Sequence, residues 1–139
     1  MRDLPRLDET TRRRISETAD RHELDLLQLA LDDGPDDFET LARLGELYTR
    51  LGRVEEGLEV DRRLARIAPS DPIVRYNLAC SLALLGQPEE SCAALREAVR
   101  LGYSDLEHLL QDADLASVRS HPLFADVLRL LERHRRDRR

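Results

Sequence analysis

Apolar residues recur along this chain at helical spacing, and one arrangement of them occurs twice. The stretch "LARLGELYTRLGR", Leu41 to Arg53, is echoed by "YNLACSLALLGQ", Tyr76 to Gln87. Leu44-Gly45 aligns with Leu78-Ala79, Tyr48 with Leu82 and Leu51-Gly52 with Leu85-Gly86, each pair 34 positions apart. Period-2 runs of β-branched residues extend over no more than a few positions, so no sheet is expected. Turn signals at Asp32–Asp37, Leu51–Arg53, Ala68–Pro72, Leu85–Pro88, Leu101–Asp105 and Ser120–Pro122 cut the chain into helix-sized windows. Two helix–turn–helix units emerge, residues 38–50 with 54–67 and 72–85 with 88–101.

Several boundaries carry a physical reason. Asp71-Pro72 reads as an N-cap carboxylate followed by Pro at the first helical position, where its missing N–H costs nothing. Gly52 and Gly86 stand where a helix should stop in a left-handed cap. Glu55-Glu56 and Glu89-Glu90 then complement the positive end of the helix that follows. Small residues, Gly45 and Ala79 in the first helices and Gly57 and Ser91 in the second, mark where helix axes approach closely. Glycine inside a helix costs about 1 kcal/mol relative to Ala, so Gly45 and Gly57 call for a packing reason. A repeat of this length signals stacked helix pairs, none of which buries its apolar face alone.

The pattern resembles the tetratricopeptide repeat, carried by Leu41, Leu44-Gly45, Tyr48, Gly52, Gly57 and Pro69. The second copy keeps Leu78-Ala79, Leu82, Gly86, Ser91 and Ala98 but puts Tyr103 where the first has Pro69. The first copy departs with Asp61 where a large apolar residue is usual and Leu64 where Ala is usual, which predicts irregular packing. Leu26 to Asp37, with Ala30 and Pro35, looks like the second helix of an earlier, degenerate repeat, preceded by a separate amphipathic helix around Asp8 to Ala19. Leu101 to Leu128 is similar to endings that close bacterial arrays with a short helix, an Asp-Leu turn and a final helix. The resemblance implies an all-α fold: a short right-handed α-solenoid of antiparallel helix pairs with N- and C-terminal capping helices. The corresponding division is an N-terminal cap with a half-repeat over 1–35, repeats over 36–71 and 72–105, capping helices over 106–132 and a basic tail over 133–139.

Composition agrees with helices and removes some functions. Aromatics are 4% and Trp is absent, so Leu and Ala must fill the core. A net charge of −6 is the wrong sign for a nucleic-acid binder. The basic run Arg133 to Arg139 reads as a solvated helix end that complements the dipole. No stretch suits a membrane span and no apolar leader follows Met1, so the expected location is the cytoplasm. Cys80 and Cys92 form no disulfide framework, which fits a reducing compartment.

Candidate chemistry is sparse, and neither a cofactor nor a metal is expected. His22, His108, His121 and His134 lack zinc-site spacing, and His108 with Glu107, Asp112 and Asp114 reads as a solvated polar face. Cys80 sits among Leu78, Ala79, Leu82 and Ala83 without a nearby base, as a packing residue does. No catalytic residue is assigned, and the chain is read as a non-enzyme.

What the resemblance implies instead is a binding face along the first helices of successive repeats. Its positions in the first copy are Glu39, Ala42, Glu46, Thr49 and Arg50. In the second they are Ile73, Tyr76, Cys80, Ala83 and Leu84. Asn77 matches one Asn of a known carboxylate clamp, but Ala42 and Glu46 stand where that clamp needs Lys and Asn. The expected function is a protein-interaction module or small adaptor holding a partner segment. The alternative is a structural or self-associating domain whose groove is filled by its own helices or by a second copy. Between these, Leu84 is expected largely buried and Tyr76 to keep an exposed edge, with binding centred on Thr49, Arg50 and Tyr76.

Overall fold

The computed structural model describes residues 6–32 and 37–139. The turn expected at Asp32–Asp37, with Pro35, falls mostly outside them. The described residues are all-helical: α1 Glu9–Asp32, α2 Phe38–Arg50, α3 Val54–Ile67, α4 Pro72–Leu84, α5 Pro88–Arg100, α6 Leu106–Gln111 and α7 Pro122–Asp137. A 3-10 turn at Ala113–Leu115 lies between α6 and α7. No helix among the described residues is long and apolar enough to cross a membrane. Contacts run α1 to α2, α2 to α3, α3 to α4 and α4 to α5, while α7 packs on α5 and the 3-10 turn on α4.

The local chemistry expected at the helix ends is present. Asp71 accepts from the Ile73 and Val74 amides, and Asp37 from that of Thr40. Gly52 and Gly86 take φ of 72° and 71°, and the next amides, Arg53 and Gln87, reach back to the Tyr48 and Leu82 carbonyls at 2.8 and 3.0 Å. Those bonds satisfy carbonyls that the ended helix leaves without a partner. Gly102, with φ of 117°, closes α5 in the same manner.

Close packing explains the small residues. A Cβ on Gly45 would meet Val60 at 3.4 Å, and one on Gly57 would meet Tyr48 at 3.6 Å. Ser91 is fully enclosed and donates its hydroxyl to the Ala79 carbonyl at 2.8 Å, tying α5 to α4. α4 is apolar almost all round and buries eight of its side chains, as a helix with neighbours on most sides must. Asp61 is 8% exposed and accepts from the Ser81 hydroxyl at 2.6 Å, so the departure from an apolar residue is met by a polar partner one helix away. At the C-terminal end Phe124, Val127 and Leu131 are buried, with Leu123, Leu128 and Leu130 packed beside them. His121 caps α7 by accepting from the Leu123 amide.

The N-terminal reading needs correction. Asp8–Ala19 and Leu26–Asp32 do not form separate elements, because α1 runs unbroken through both. No Gly or Pro interrupts the intervening sequence, so nothing ends the first helix. α1 buries only Leu24 and leaves Ile15, Leu26 and Leu29 more than half exposed.

Candidate functional site

The inner face of the stack is a groove of about 1050 Å³ lined by α2, Asp61 and Leu64 of α3, α4 with its cap Asp71, and the segment from Gly102 through α6 to Asp114. Every groove position expected from the sequence lines it except Glu39 and Ala83. Glu39 is exposed in the first turn of α2, outside the groove. Ala83 is 2% exposed because the chain after the 3-10 turn lies over it, and Ser117 donates to its carbonyl at 3.1 Å.

Tyr76 and Leu84 exchange their expected roles. Tyr76 keeps no exposed edge: its ring stacks on Tyr103 at 4.5 Å and 12°, and His108 lies tilted at 5.5 Å. Its hydroxyl donates to Asp112 Oδ2 at 2.7 Å. Burial, then that bond, pushes the phenol far above its ordinary range. Leu84, expected to be covered, is 45% exposed on the groove side. The closing segment covers the middle of α4 and leaves its two ends, Ile73 and Leu84, open. With Phe38 on α2, three large apolar side chains are exposed on this one concave face.

The α2 wall is polar and already ion-paired to α1. Arg43 holds both Glu23 oxygens at 2.7 and 2.8 Å and Glu46 at 2.9 Å, which draws the Glu23 carboxyl below its ordinary pKa. Arg50 reaches Asp20 at 2.9 Å. Thr49 is exposed and donates to the Gly45 carbonyl, and Asn77 is exposed across the groove on α4. Ala42 is partly buried between them.

The opposite end is acidic. Cys80, 8% exposed, lies with its sulfur 3.7 Å from Asp112 Oδ2, and His108 Nε2 lies 3.3 Å from the same oxygen. Ligand atoms of Cys80, Asp112 and Asp114 lie within 4.8 Å of one another, which is close enough for a small ion. Burial first, then Asp112 and Asp114, push the Cys80 thiol up. It is a hydrogen-bond donor here, the opposite of the activated thiolate that nucleophilic or metal chemistry uses. Cys92 is fully enclosed and its thiol is raised mainly by burial. Asp112, bonded by Tyr76 and Cys80, is therefore not part of the solvated polar face expected of it. The available signal was Tyr103 in place of Pro69: a second aromatic in that turn brings the closing segment down onto Tyr76.

With that geometry in hand, two similarities to known proteins are informative. Residues 73–101, spanning α4 and α5, match the tetratricopeptide repeat. The chain is also 31% identical over 93 residues to a chloroplastic protein of Arabidopsis thaliana. That match covers 63% of this chain and 27% of the relative, so the similarity concerns about a quarter of the plant protein's length. The resemblance read from the residues is thus borne out in α4 and α5, whose packing is what the repeat requires.

Proposed function

We propose that this chain, which carries a tetratricopeptide repeat over residues 73–101, acts as a non-catalytic interaction module holding a partner protein's segment in its concave groove. Such repeats generally mediate protein–protein contact. One observation carries the reading here: Phe38, Ile73 and Leu84 are exposed on the same concave face, flanked by the polar residues Glu46, Thr49, Arg50 and Asn77. Exposed apolar anchors with a polar surround are what a segment-binding surface needs. Tyr76 stands beneath that surface as part of its floor, so the binding centre shifts from Tyr76 to Ile73 and Leu84. The repeats proposed over 36–71 and 72–105 supply the two walls, and the segment over 106–132 supplies the closed end. Two unpaired cysteines fit a reducing compartment such as the cytoplasm.

The test is an affinity isolation from the native cells with the wild-type chain and with an Ile73→Glu/Leu84→Glu variant. Both residues are exposed, so the variant should melt with the parent. The expected result is a discrete partner held by the wild type and lost from the variant. Equal retention by both would refute the groove as the binding surface.

A further inference from the structure

The groove as a whole carries more acidic than basic side chains. Six carboxylates line the groove, those of Glu46, Asp61, Asp71, Asp105, Asp112 and Asp114, against two guanidiniums. Both arginines are already held by α1 carboxylates at the far wall. Asp71 and Asp105 cap helices, and Asp61 is bonded to Ser81. Asp112 takes the Tyr76 hydroxyl, the Asp114 amide and the Cys80 thiol, and His108 Nε2 lies 3.3 Å from its Oδ2. The Asp114 carboxylate has no hydrogen-bond or ion-pair partner among the described residues, and burial followed by Asp112 raises its pKa. Arg119, the nearby cation, donates to the Asp112 backbone carbonyl instead.

A second, independent feature points to a missing ligand. The Tyr103 hydroxyl is buried, with Tyr103 only 7% exposed, and it has no hydrogen-bond partner. Its ring lies flat on Tyr76, whose hydroxyl bonds Asp112, and Tyr103 lines the groove together with Asp112 and Asp114. A buried hydroxyl without a partner is costly, and two neighbouring carboxylates repel unless a cation lies between them.

We propose that Asp112, Asp114 and Tyr103 form a subsite for a cationic side chain, lysine or arginine, of the segment bound in the groove. This rests on the groove being the binding surface. An ammonium has three donors and the subsite offers three acceptor groups: two carboxylates and a phenolic oxygen. A guanidinium supplies the same charge with a planar fork. Apolar residues flanking the cation then lie over Ile73 and Leu84. A metal ion is the competing occupant, because Cys80 Sγ lies within 4.8 Å of ligand oxygens of both carboxylates.

The experiment titrates the full chain with capped pentapeptides Leu-Ala-Xaa-Ala-Leu, Xaa being Lys, Arg, norleucine or Glu, and follows backbone amide shifts by NMR. The Lys and Arg peptides should move the amides of Tyr103, His108 and Asp114 and bind about tenfold tighter than norleucine or more. Asp114→Asn should erase that preference, with a circular-dichroism melt no lower than the parent's. Lys and norleucine peptides of equal affinity, both moving Ile73 and Leu84, would overturn the cation subsite while sustaining the groove. If no peptide moved any groove amide, the groove reading would fall as well. A zinc titration that moved the same amides and was abolished by Cys80→Ser would overturn the proposal in favour of a metal.

Discussion

Asp61→Asn should stabilise the protein above neutral pH, contrary to the usual fate of a buried polar group that is altered. Asp61 sits between α3 and α4 with Ser81 as its hydrogen-bond partner, and burial pushes its carboxyl up from 3.8 to about 6, the Ser81 bond only partly opposing that. A shift of about two units corresponds to about 3 kcal/mol. The folded chain binds this proton more tightly than the unfolded chain. The associated stability is therefore fully present below pH 3.8 and is lost as pH rises through about 6. Asn cannot ionise and still offers Ser81 a carbonyl acceptor, so the variant escapes the loss. Urea unfolding of both proteins between pH 4 and pH 8, read as the difference in free energy, isolates this residue because the other titrating groups are common to both. The difference should grow by about 2–3 kcal/mol in favour of Asn across that range. Parallel pH profiles, or an Asn variant less stable at pH 8, would refute the account of the α3–α4 interface.

Tyr76→Ala should unfold the closing segment rather than weaken binding alone, costing about 3–5 kcal/mol as buried aromatic truncations do; Tyr76→Phe, which removes only the bond to Asp112, should cost about 1–3 kcal/mol in thermal or urea unfolding. Gly86→Ala meets no atom within 4 Å but keeps a φ of 71°, so its cost should be the bare backbone penalty of about 1–2 kcal/mol. Phe124→Ala should lower stability by about 3–5 kcal/mol and broaden the melt, because α7 is what covers α5.

The helices of the two copies were legible because their ends are chemically marked: Asp71-Pro72 starts α4, Gly86 stops it, and Gly52 stops α2. The closing segment was legible from its short helix, its Asp-Leu turn and its final helix, whose Phe124, Val127 and Leu131 are buried. The unity of α1 was less so, because repeat logic placed a break where no residue ends a helix. Which face of α4 is open was not legible at all. Leu84 and Ala83 are adjacent and both apolar, and only the path of the chain around Ser117 decides which is covered. The Asp112–Tyr76 bond likewise joins residues 36 apart, a separation that no local pattern encodes.

The central claim, that the concave face is where a partner protein lies, is tested most directly by placing a photocrosslinking phenylalanine analogue at Leu84 and, separately, at Leu29 of α1 in the native cells. Both positions are exposed, at 45% and 59%, so the two probes have comparable access. The account predicts a discrete protein adduct from position 84 that disappears when Ile73→Glu is added, and none of that mass from position 29. An adduct from position 29 with nothing at position 84 would contradict it and place the partner on α1.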